Sequence, residues 1–171
     1  EMPEYTYTEI DESEDWIVGE SLMKRFVLKK AKIDFSNIKI FLSDVDGVLT
    51  DAGMYYTESG DEMKKFCTYD GMGFQLLQKT GVKVGILTTE DRQLNRRRAK
   101  KIGLDFDFHA VKDKLQIVEE LCKKEQISLD EVAYIGDDVN CFELLSHVGI
   151  AACPSNAVEK IKLIPNIIQL E

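Results

Sequence analysis

The 171-residue sequence is short of positive charge and of histidine, and it has no long apolar run. Its 22 Lys and Arg face 31 Asp and Glu, for a formal charge of −9. That balance argues against nucleic acid and anionic membrane as partners, since both are held through cationic surfaces. No apolar stretch reaches the roughly 20 residues that span a bilayer, and no signal-like segment is visible. The two histidines, His109 and His147, lie far apart without ligand partners nearby, which disfavours a histidine metal centre or a catalytic triad. Cys67, Cys122, Cys141 and Cys153 form no C-x-x-C pair. Free thiols, no structural zinc and a cytoplasmic location are therefore expected.

A hydrophobic content of 44% is enough for one good core. Residues 1–35 stand apart: EMPEYTYTEIDESED is acidic and lacks a sustained apolar period, so it reads as an arm or linker, with one short helix plausible over 13–26. The chain starts at Glu1 rather than Met, as expected of a fragment or a cleaved product. From residue 36 to 171, apolar runs alternate with amphipathic stretches, the sequence form of an α/β fold with a Rossmann-like parallel sheet and helices on both faces. Strands are expected at 38–42, 82–88, 106–111, 150–153 and 166–170, with a further strand and turn over 131–138 and helices between them. Residues 54–57 and 63–68 flank ESGDE and read as a β-hairpin flap. No repeat or low-complexity segment is present.

The densest chemistry is FLSDVDGVLTD, residues 41–51. Three carboxylates and a glycine follow a buried strand, and Asp44 and Asp46 share a face if that strand continues. Two like charges there are costly, and a Mg²⁺ ion holding a phosphate would offset the cost. An Asp-rich surface turn is the alternative. The ends of other strands, or the turns after them, carry Thr88, Lys114, Asp137 and Asp138. In an open α/β sheet ligands bind beyond the carboxyl ends of the strands, so these residues converge on one edge.

In order, strand placement and residue type, these residues resemble the four motifs of the haloacid dehalogenase-like hydrolase superfamily. The resemblance implies that Asp44 is the nucleophile, forming an aspartyl-phosphate. It implies that Asp46 is the general acid and base, that Thr88 binds the phosphoryl group, and that Lys114 neutralises charge. Mg²⁺ would be held by Asp44, Asp137 and the backbone carbonyl of Asp46. Relatives place a second acid where this chain has Cys141, and Asp138 is expected to supply that charge from the outer shell of the metal.

No large insertion follows the first or second motif, so the chain is similar to the branch without a cap domain, the 3-deoxyoctulosonate 8-phosphate and 2-keto-3-deoxynonulosonate 9-phosphate phosphatases. That branch implies a homotetramer whose neighbouring subunits close the site. Thr88-Thr89-Glu90 followed by RRRAKK is similar to the nonulosonate enzymes, which have Glu at position 90, Arg at 98 and Lys at 101. Thr89, Glu90, Arg98 and Lys101 are thus the expected substrate-binding residues, with Arg98 and Lys101 taking the sugar carboxylate in their own or a neighbouring site. A solvated basic helix face is the alternative for that pair. Thr89 replaces the usual Gly, which bears on the local backbone.

The N-terminal arm resembles the end of acylneuraminate cytidylyltransferases, which implies a phosphatase domain fused to such an enzyme. The function so implied is Mg²⁺-dependent hydrolysis of a nonulosonic acid 9-phosphate. The alternatives are an octulosonate 8-phosphate phosphatase or a weakly active oligomerisation domain. A response-regulator-like module is disfavoured by the D-x-D on the first strand. Relatives continue past the position of Glu171 with a Gly-rich segment.

Overall fold

The computed structural model describes residues 33–170 together with Asp15 and Trp16. The chain divides into two compact units, Glu1–Ser36 and Asn37–Glu171. Within the first, Asp15 and Trp16 are helical; the rest of the helix expected over 13–26 lies outside the described residues.

The second unit is built on a six-stranded, wholly parallel sheet in the order β5-β4-β1-β6-β7-β8. Its strands are β1 (Ile40–Ser43), β4 (Lys83–Leu87), β5 (Phe106–Phe108), β6 (Val132–Ile135), β7 (Ile150–Cys153) and β8 (Ile168–Gln169). Between them run α1 (Thr68–Lys79), α2 (Gln93–Ile102), α3 (Lys114–Glu125), α4 (Phe142–Leu145) and α5 (Glu159–Lys162). The chain leaves β1 toward β4 and β5, then returns to β6 on the other side of β1. That reversal is a topological switch point, and it places the carboxyl end of β1 between those of β4 and β6.

Alternation along the strands explains why both faces are covered. Ile40, Leu42, Leu87, Val132 and Tyr134 face α3, α4 and α5 in one buried cluster with Val118, Leu121, Leu144 and Ile161. Val84 and Ile86, with Phe41, point the other way and pack with Phe74 of α1 and Ala99 and Ile102 of α2. Each such fully buried aliphatic side chain contributes about 1.5–3 kcal/mol relative to exposure. At Gly85 the neighbouring strand is so near that a Cβ would lie 2.6 Å from Phe106 Cβ and 3.0 Å from a Leu42 methyl, so this strand position needs glycine.

The expected hairpin is present as two short antiparallel strands, β2 (Tyr55–Tyr56) and β3 (Glu62–Met63), with Tyr55 opposite Met63. Its turn is closed by Thr57, whose Oγ1 accepts from Asp61 N at 3.0 Å, and by Gly60 at φ +88°. Among the described residues it is the one sheet outside the main one, and no helix is long and apolar enough to cross a membrane. Two helices are shorter than the pattern suggests. The stretch after Asp138 is a 3-10 turn, Val139–Cys141, followed by only four α-helical residues, and α5 likewise has four.

Candidate active site

Ladder hydrogen bonds carry Asp44 past the end of β1: its N donates to Ile135 O at 2.9 Å. The strand does not continue to Asp46. The chain turns instead, with Leu49 N donating to Val45 O at 2.9 Å and Gly47 at φ +80°. Both carboxylates still reach one cavity of about 210 Å³, which Ala52, Thr88, Thr89, Glu90, Asp137, Asp138 and Asn140 also line. The turn, rather than strand alternation, makes Asp46 face the same space as Asp44.

Lys114 is the first residue of α3 and only 2% exposed. Asp113 fixes the start of that helix, its side chain accepting from Gln116 N at 2.9 Å as an N-cap does. An ammonium at a helix N-terminus is opposed by the helix dipole, and burial adds to the cost. The compensation is direct: Nζ is ion-paired with Asp44 Oδ2 and donates to the Tyr134 hydroxyl at 3.1 Å. Asp44, 5% exposed, also accepts from Val45 N at 2.8 Å through Oδ1. Thr88 is buried at the end of β4; its N donates to Phe108 O at 3.0 Å, and its Oγ1 accepts from Glu90 N at 3.2 Å.

Asp137 enters between β6 and the 3-10 turn. A Cβ on Gly47 would fall 1.8 Å from Asp137 Oδ2, so glycine is required there by contact as well as by φ. Burial first, and then the charge of Asp44, pushes the Asp137 carboxyl up to about 6. Asp138 is exposed and caps the 3-10 turn, its Oδ1 accepting from Val139 N at 2.7 Å.

Lys64, just after β3, escaped sequence reasoning. Its covered ammonium lies 2.6 Å from Asp46 Oδ1, donates to Asp46 Oδ2 at 2.7 Å and is paired with Glu90. The 2.6 Å approach to Oδ1 lies off the hydrogen-bonding direction, so that buried atom has no hydrogen-bond partner. Burial raises the Asp46 carboxyl above its ordinary range, against the pull of Lys64 and with the push of Glu90 and Asp44. Burial alone would lower Lys64, but its two carboxylate partners outweigh that and raise it. A lysine in a hairpin arm carries no local pattern pointing to a site. Tyr134 and Asn140 were missed for the same reason: one reads as core, the other as turn.

The remaining expected residues divide. Thr89 lines the cavity, accepts from Asn140 Nδ2 at 3.1 Å, and is not among the residues with positive φ, so the Gly it replaces is not needed for backbone reasons. Glu90 also lines the cavity. Arg98 and Lys101 do not. The Arg98 guanidinium lies 5.5 Å from the centre of the Phe66 ring and donates to Cys67 O at 2.6 Å, at the start of α1, while Lys101 is exposed in the last turn of α2.

The cavity therefore presents five acids, Asp44, Asp46, Glu90, Asp137 and Asp138, against the two ammoniums of Lys64 and Lys114. An anionic ligand would be repelled without a further cation. One donor atom each from Asp44, Asp137 and Cys141 lie within 4.8 Å of one another. These residues fit a divalent cation.

The family model of haloacid dehalogenase-like hydrolases matches residues 108–169. The 3-deoxy-D-manno-octulosonate 8-phosphate phosphatase KdsC of Yersinia pestis is 33% identical over 122 residues, 71% of this chain and 65% of that protein. N-acylneuraminate cytidylyltransferase A of Danio rerio is 35% identical over 161 residues, 91% of this chain and 36% of that protein. The chain thus spans less than two thirds of either curated relative. Among solved structures, the Moraxella catarrhalis 3-deoxy-D-manno-octulosonate 8-phosphate phosphatase, in complex with magnesium ion, phosphate ion and a KDO molecule, is 34% identical with a TM-score of 0.75, over 78% of this chain and 77% of that one. With the fold, the order of the site residues and this identity in agreement, the chain belongs to the haloacid dehalogenase-like hydrolases.

Proposed function

We propose that the chain hydrolyses the phosphate monoester of a nonulosonic acid 9-phosphate through an aspartyl-phosphate on Asp44. The observation that carries this reading is the buried pair of Asp44 and Lys114 at the carboxyl end of β1, between Thr88 and Asp137. In the first step a carboxylate oxygen of Asp44 attacks phosphorus, and the bond from phosphorus to the sugar oxygen breaks. Asp46, raised by burial, gives its proton to that leaving oxygen. Water then attacks phosphorus, Asp46 takes back the proton, and the bond from phosphorus to Asp44 breaks. Lys114 balances the charge on Asp44 and on the transferring group, and the Thr88 hydroxyl orients it. A divalent cation, Mg²⁺ by analogy with the Moraxella enzyme, would be held by Asp44, Asp137 and the Asp46 carbonyl and would neutralise phosphate charge.

Support for the nonulosonate comes from the cytidylyltransferase match. At 91% of a 171-residue chain it is too long to leave out all of residues 1–35, which agrees with an arm continuing from a fused synthetase domain. Glu90 and Thr89 face the cavity, while Arg98 and Lys101 would meet the substrate carboxylate only in a neighbouring copy, as in a homotetramer. A 3-deoxyoctulosonate 8-phosphate is the second reading, favoured by the names of the Yersinia and Moraxella relatives. Phosphate release from both sugar acid phosphates, with and without Mg²⁺, tests this. Faster turnover of the octulosonate would overturn the nonulosonate assignment, and no turnover of either would overturn the phosphatase.

A further inference from the structure

Cys141 is wholly buried, yet the reaction above gives it no task. Its Sγ lies 3.1 Å from Asp44 Oδ2, 3.3 Å from Lys114 Nζ and 3.2 Å from the Tyr134 hydroxyl. With Asp44 and Asp137 it forms the one group of three candidate metal donors among the described residues. Space has been left for it: a Cβ on Gly136 would lie 2.6 Å from Sγ and 2.7 Å from Cys141 Cβ.

We propose that Cys141 is itself a ligand of the cation, so that the centre offers two carboxylates and one thiolate and binds Co²⁺ or Zn²⁺ more tightly than an all-oxygen site of the same shape would, at the expense of Mg²⁺. Mg²⁺ is hard, keeps waters and takes oxygen donors, whereas a thiolate favours softer ions. A carboxylate oxygen and a sulfur 3.1 Å apart can share one ion with bonds of about 2.0 and 2.3 Å. On binding, the S–H bond breaks, its proton leaves to water and the metal–sulfur bond forms. The remaining free thiols, Cys67, Cys122 and Cys153, lie outside the donor group. The inference rests on the cation site of the proposed function but not on turnover.

The test is titration of the metal-free protein with Co²⁺, followed by absorbance. The expected result is a near-ultraviolet thiolate-to-cobalt band that grows in step with the visible cobalt bands. Cys141→Ser should abolish the near-ultraviolet band and weaken Co²⁺ binding about tenfold or more, and Cys141→Asp should strengthen Mg²⁺ binding by a similar factor. Zinc-edge spectroscopy of the unaltered protein, which needs no variant to fold, should show one sulfur at about 2.3 Å. Cobalt bands without the thiolate band, an oxygen-only zinc shell, no Co²⁺ uptake, or a thiolate band that persists in Cys141→Ser would each overturn the proposal. A protein that forms the cobalt–thiolate band but releases no phosphate would contradict the phosphatase reading and leave this inference standing. An active protein with an oxygen-only metal would do the reverse.

Discussion

Lys64 binds Asp46 through both carboxylate oxygens, 2.6 Å from Oδ1 and 2.7 Å from Oδ2, and ties it to Glu90. The hairpin therefore holds the residue assigned to proton transfer and one assigned to substrate choice with a single ammonium. Removing that ammonium by Lys64→Met takes away an interaction that lowers the Asp46 carboxyl, which should then rise further. In the proposed reaction Asp46 is protonated when it expels the sugar oxygen, so the limb on which kcat/KM falls with rising pH should move to higher pH. Loss of positioning should also lower kcat by roughly ten- to a hundredfold. A pH–rate profile of the variant checks both, and an unchanged limb would show that Lys64 does not act on Asp46.

Gly47 admits Asp137 to the site, since any Cβ there would fall 1.8 Å from Oδ2 and φ is +80°. Gly47→Ala should destabilise the fold by about 1–3 kcal/mol and weaken divalent-cation binding, because Asp137 must move. Denaturant unfolding and Mg²⁺ titration read the two effects separately.

The Asp137 carboxyl is raised from 3.8 to about 6, by burial and then by Asp44. A raised folded-state value contributes stability that is complete below the unfolded value and is lost as pH rises through the folded one. Metal-free protein should therefore lose this contribution between about pH 4 and pH 7. Replacing Asp137 with Asn removes the titration, so the variant should gain in melting temperature relative to the parent as pH rises across that window. Divalent-cation affinity should fall below pH 6 by about tenfold per unit, since the ligand must shed its proton. Melting curves in chelator and metal titrations at several pH values check the two signs.

The sheet and its site were legible because β1, β4 and β6 are apolar runs that end on Asp44, Thr88 and Asp137, and strand ends in an open α/β sheet meet at one edge. Asp46 was legible as a partner of Asp44, although for a different geometric reason: a turn at Gly47 rather than a continued strand. Lys64 was invisible because it reaches the site across the hairpin, eighteen positions from Asp46, and nothing in EMKKF marks one lysine over the next. Helical spacing put Arg98 and Lys101 on one face but could not say what the face meets. In this chain Arg98 is engaged with Phe66 and Cys67. Asp138 was assigned by its neighbours in sequence; its side chain caps Val139–Cys141 and lines the cavity, and the thiol of Cys141 lies 3.1 Å from Asp44.

The central claim is tested most directly by phosphate release from a nonulosonic acid 9-phosphate in Mg²⁺, comparing the unaltered protein with Asp44→Asn. The account predicts steady turnover by the first and a loss of at least about a thousandfold in the second, with the circular dichroism spectrum of the fold retained. Turnover that survives in Asp44→Asn, or none by the unaltered protein, would contradict it.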